Sequence, residues 1–70
     1  MKIVIIEDEK PTANDLARTI KSLDVDSEII EIIYSVEEGI NYLTDNKEVD
    51  LIFSDIQLGD GLSFEIFESV

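Results

Sequence analysis

The apolar positions of this chain change spacing several times, and the order of the changes predicts its elements. Ile3-Val4-Ile5-Ile6, after Lys2, is a short continuous β-branched run of the kind found in a strand covered on both faces. Pro11 suits a first helical turn. Ala13, Leu16, Ala17, Ile20 and Leu23 then recur at helical spacing, predicting an amphipathic helix with one core face. Glu28 to Ile33 is a second apolar run, and its internal Glu31 fits an edge strand. Ser35 and Glu38 have the spacing of a capping box ahead of a helix that turns Val36, Ile40 and Leu43 inward. Asp45 to Glu48 is a polar turn, and Val49 to Ser54 a third strand. A loop with two glycines, 56 to 61, leads into a helix carrying Phe64, Phe67 and Val70.

Strand and helix alternate, which predicts an α/β fold with parallel pairing. In a doubly wound sheet of order 2-1-3, the chain reverses direction between the first and third strands. Ligands bind there, beyond the carboxyl ends of the strands. Glu7 and Asp8 end the first strand and Asp55 ends the third. Neighbouring strands lie about 4.8 Å apart, so three carboxylates meet where one divalent cation would fit.

Composition narrows the chemistry. The chain has no Cys and no His, which excludes thiol chemistry, disulfides, soft-metal sites and imidazole catalysis. Only a hard, oxygen-seeking ion such as Mg²⁺, Mn²⁺ or Ca²⁺ suits the remaining ligands. Seventeen acids against five bases give a net charge of −12, which excludes a phosphate-neutralising nucleic-acid surface on this segment. The apolar start is too short for a signal peptide and no run reaches membrane-spanning length, so a cytoplasmic location is expected. Seventy residues make one small domain, burying roughly 60% of the unfolded surface.

Asp55 is a weak nucleophile that can attack phosphorus when a cation offsets the repulsion between carboxylate and phosphoryl oxygens. Mg²⁺ keeps several waters, so Glu7, Asp8, Asp55 and the backbone carbonyl of Gln57 form a sufficient protein ligand set. Single acids in so acidic a chain ordinarily just solvate loops. Glu9 reads that way, and Asp60 reads as a cap for the third helix. Tyr34, Tyr42 and the phenylalanines read as packing groups, since no bases interleave them.

Ile5-Ile6-Glu7-Asp8-Glu9, followed by Lys10-Pro11, and Asp50 to Leu58 (DLIFSDIQL) together resemble the receiver domain of bacterial two-component response regulators. The stretch Asp55 to Leu58 and the segment Asp60 to Phe67 resemble regulators with a LytTR-type DNA-binding output domain. The resemblance implies a flavodoxin-like fold in which Asp55 is the phosphoacceptor for a sensor histidine kinase. It also implies that Asp8 ligates Mg²⁺ directly, Glu7 acts mainly through coordinated water, and the Gln57 carbonyl completes the set. Glu7 stands where many members have Asp, and Gly59 where a proline is usual, in a loop two residues shorter.

Receivers have five βα units, and residues 1–70 correspond to two and a half. The expectation is an incomplete receiver domain, truncated inside its third helix, without the Ser or Thr of strand four, the Lys of strand five, or the output domain. An exposed third-strand edge would then favour a homodimer, through that edge or the third-helix face, which sedimentation would register.

The expected function is a phosphoacceptor signalling module that controls transcription through an output domain, with no turnover reaction of its own. An acidic module docking a basic partner explains the charge but not three acids converging from buried strands. An Mg²⁺-dependent phosphatase of the haloacid dehalogenase type needs a second acid where Lys10 stands. Nucleotide-binding glycine motifs are absent.

Overall fold

Ile3, Val4, Ile5 and Ile6 are each no more than 1% exposed, which four successive strand residues achieve only with cover on both faces. A computed structural model of residues 1–70 shows how that cover arises. Strand β1 (Lys2–Ile6) lies at the centre of a three-stranded parallel sheet, flanked by β2 (Glu28–Ile33) and β3 (Leu51–Ser54), in the order β2-β1-β3. Helix α1 (Lys10–Leu23) joins β1 to β2, and α2 (Val36–Asp45) joins β2 to β3. A small antiparallel hairpin follows, β4 (Gln57–Leu58) and β5 (Gly61–Leu62), and then α3 (Phe64–Ser69). No helix is long and apolar enough to cross a membrane.

Alternation along β1 divides the interior in two. Val4 and Ile6 join Ile33, Val36, Leu43, Leu58 and Ile66 in one cluster beneath α2 and α3. Ile3 and Ile5 point to the opposite face, where α1 packs and buries Ala13. Ile30 and Ile33, three residues apart, both pack into the α2 cluster, although a regular strand would send them to opposite faces. A register irregularity resolves this: Ile3 pairs with Ile29 but Val4 pairs with Glu31, so one extra β2 residue is absorbed.

Several boundaries differ from the sequence expectation for physical reasons. Leu23 is 82% exposed instead of facing the core. A 14-residue helix runs about 21 Å while a five-residue strand spans about 17 Å, so the last turn of α1 has no sheet beneath it. Strand β3 begins at Leu51 and not at Val49. Asp50 donates its N–H to Lys2 O at 2.8 Å, and its own carboxylate then accepts the Lys2 N–H at 2.7 Å, replacing the next ladder bond. The glycine loop is the β4–β5 hairpin, whose Gly61 has φ +152°, a conformation that side chains disfavour.

Helix α3 forms where expected but turns a different residue inward. Ile66 is completely buried, whereas Phe64 and Phe67 are 51% and 42% exposed. A Cβ placed on Gly39 of α2 would come within 3.0 Å of Ile66 Cγ1, so the absence of a side chain at Gly39 is what admits Ile66. The outer edge of β3 is open, with Leu51 and Phe53 exposed.

Candidate metal centre

The sheet register places the three acids. Ile6 pairs with Ile33 on one side and with Ser54 on the other. The ladders continue one step further: Glu7 donates its N–H to Ile33 O and Asp55 donates to Ile6 O, both at 2.9 Å. Glu7 and Asp55 therefore leave adjacent strands at the same level, with Asp8 in the turn beside them. One carboxylate oxygen from each of Glu7, Asp8 and Asp55 lies within 4.8 Å of the other two. Gln57, whose carbonyl is the expected fourth ligand, lies two residues beyond Asp55 in β4.

Backbone groups hold part of this cluster. Asp55 Oδ1 accepts the N–H of Ile56 at 2.8 Å, and Glu7 Oε1 accepts that of Glu9 at 3.1 Å. No base neutralises it. The two ion pairs of the molecule are Lys2–Glu48 and Arg18–Asp15. Lys10, the nearest base in sequence, sits over the Tyr34 ring at 5.3 Å from its centroid. Tyr34 thus engages a cation, beyond the packing role the sequence indicated.

The Glu7 carboxyl is held above its ordinary 4.5, first by desolvation and then by the Asp8 and Asp55 carboxylates, against the opposing effect of the Glu9 N–H. The folded chain therefore holds that proton more tightly than the unfolded chain. This acid weakens the fold as pH rises past 4.5 unless positive charge enters the cluster. Asp8 and Asp55 are exposed and Glu7 is half-buried, leaving the cluster open to an ion with its waters.

Asp60 has a role that the sequence did not disclose. Instead of capping α3, it caps α2: Oδ1 accepts the Val36 N–H at 2.8 Å and Oδ2 that of Glu37 at 3.2 Å. Ser35 Oγ takes the third N–H, from Glu38, at 3.1 Å, so the first three helical donors are all satisfied. Glu38 reaches back to the N–H of Tyr34, at 3.4 Å, and not to that of Ser35. An Asp-Gly pair just ahead of a helix signals a local cap; only a fold that returns to Val36 can reveal a partner 24 residues back.

These N–H bonds hold the Asp60 carboxyl below its ordinary 3.8, led by the bond from Val36. A depressed carboxyl stabilises the fold above its unfolded value and loses that contribution as pH falls toward the folded value. The difference in thermal midpoint between the native chain and Asp60→Asn is accordingly expected at neutral pH and should shrink as pH drops through 3.8 and below. A difference that held constant on acidification would show that the charged cap contributes nothing.

Comparison of the chain with protein-family models, with curated proteins and with solved structures gave no match.

Proposed function

We propose that the chain is a phosphoacceptor module of the response-regulator receiver type, taking a phosphoryl group on Asp55 with Mg²⁺ at Glu7, Asp8, Asp55 and the Gln57 carbonyl. One observation carries the reading: three donor oxygens within 4.8 Å of one another, delivered by adjacent parallel strands and unpaired with any base. All the donors are oxygens, the class a hard divalent ion prefers. Mg²⁺ would supply positive charge that offsets the repulsion between the carboxylates and an incoming phosphoryl group.

The chain's own residues do the rest. The Ile56 N–H bond on Oδ1 orients the Asp55 carboxylate, leaving Oδ2 as the attacking atom. That oxygen forms a bond to phosphorus as the phosphorus–nitrogen bond of a kinase phosphohistidine breaks, and the departing imidazole nitrogen takes a proton from water. The product is an acyl phosphate on Asp55. Glu7 and Asp8 gather the counter-charge, and the exposure of Asp8 and Asp55 admits so large a donor. The output controlled, by the resemblance, is transcription.

Incubation with a small phosphodonor and Mg²⁺, read by intact mass, is expected to add one phosphoryl group that Asp55→Asn abolishes. Folded protein that stays unmodified, or an adduct that survives the substitution, would remove Asp55 from this role.

A further inference from the structure

Two sides of the hairpin that follows Asp55 have different neighbours. Its turn lies against the acid cluster, where a Cβ on Gly59 would be 3.9 Å from Asp8 Oδ2. Its next residue, Asp60, grips the start of α2 through both carboxylate oxygens. Between them the hairpin has little freedom. Leu58 is buried in the core, Gln57 pairs with Leu62, and the Ser63 N–H donates to Ile56 O at 2.8 Å. Gly61 packs against the same end of α2, where a Cβ would lie 3.5 Å from Val36 Cγ2.

Helix α2 already has a local cap in Ser35, so a second cap from another element does more than end the helix. It fixes the segment that carries the Gln57 carbonyl. We propose that Asp60 is a positioning residue for the divalent-cation site, clamping Gln57–Gly59 beside Glu7, Asp8 and Asp55 and so linking cation binding to the N-terminus of α2. This rests on the metal reading given above. Linkage is reciprocal: if the clamp helps the cation bind, the bound cation strengthens the clamp.

Three substitutions separate the clamp from simpler effects. Asp60→Ala removes both charge and acceptors. Asp60→Asn removes the charge and keeps one of the two acceptor oxygens, enough for the Val36 N–H but not for that of Glu37 as well. Ser35→Ala weakens the same helix end without touching the hairpin. In a Mg²⁺ titration followed by backbone amide signals, Asp60→Ala is expected to bind about tenfold more weakly than the native chain, as groups that orient ligands commonly require. Asp60→Asn should weaken binding by less than Asp60→Ala, and Ser35→Ala should stay near native affinity, even if Ser35→Ala lowers the melting temperature as much as Asp60→Ala does. In the native chain Mg²⁺ should also slow hydrogen exchange at Val36 and Glu37, an effect lost in Asp60→Ala.

Equal weakening by Asp60→Asn would assign the effect to charge, and equal weakening by Ser35→Ala to helix stability; either result overturns the clamp. Native affinity in Asp60→Ala overturns it too, while leaving the metal site intact. A native chain that binds no Mg²⁺ would instead remove the metal reading and, with it, this inference.

Discussion

Asp55→Asn is expected to stabilise the metal-free chain while weakening its binding of Mg²⁺ by about tenfold or more. Both effects come from the same three carboxylates. At a separation near 5 Å, two like charges repel by about 1 kcal/mol in a water-like medium and by several times that in a partly dry one. Removing Asp55 eliminates two of the three pairwise repulsions, and exposure of Asp8 and Asp55 keeps the gain near the lower figure, about 1–2 kcal/mol. The Asn oxygen still accepts the Ile56 N–H, so no buried donor is orphaned. Binding moves the other way, because loss even of a group that merely orients ligands costs about 10- to 100-fold in affinity.

A native chain at a Mg²⁺ concentration of 100 times its Kd gains about 2.7 kcal/mol, whereas a variant that binds tenfold more weakly gains about 1.4 kcal/mol. Denaturant melts in chelator and in Mg²⁺ should therefore show the stability advantage of Asp55→Asn shrinking by about 1.3 kcal/mol or more when Mg²⁺ is added. If Asp55→Asn and the native chain respond equally to Mg²⁺, the cluster is surface acidity and not a metal site.

Ile66→Ala is expected to have the largest effect on folding. Ile66 is fully buried and packs against Gly39 of α2. Truncating a buried Ile to Ala costs about 2–5 kcal/mol, since the cavity is only partly closed by relaxation. Domains have about 0.05–0.15 kcal/mol of stability per residue, about 3.5–10 kcal/mol for a chain of 70, so this loss is a large fraction of the whole. Phe64→Ala and Phe67→Ala, at positions 51% and 42% exposed, should each cost about 1 kcal/mol or less. Urea melts of the three variants would decide between the faces of α3. A Phe67→Ala loss matching that of Ile66→Ala would mean that the helix packs through its aromatic side.

The difference between these residues shows where sequence reasoning stops. Phe64, Phe67 and Val70 recur at helical spacing, and that correctly marks a helix. Which face turns inward depends on the surface opposite, and a glycine on α2 makes that surface a slot for one branched aliphatic side chain. Leu23 shows the same limit, because α1 outruns the strand it packs on. In both cases the period was local information and the partner was not.

The candidate site divides in a similar way. Glu7, Asp8 and Asp55 were legible because each ends an apolar strand run, and alternation of strands with helices fixes which ends of those strands coincide. Their convergence within 4.8 Å needs, beyond parallel order 2-1-3, the register that pairs Ile6 with Ser54. Asp60 was legible only as a cap, and on the wrong helix.

The sequence by itself determined the class of fold, the order of the strands, the bounds of β1 and β2, the cap at Ser35 and the three acids at one end of the sheet. These follow from interactions spanning a few residues, or from covering a continuous β-branched run on both faces. Tertiary structure alone decided that Ile66 and not the phenylalanines fills the core, that β2 absorbs an extra residue so that Ile30 packs on the same cluster as Ile33, and that Asp60 ties the hairpin to α2. Each of those outcomes depends on the shape or the unpaired N–H groups of an element distant in sequence. A periodicity records which side chains are apolar; only packing records what they meet.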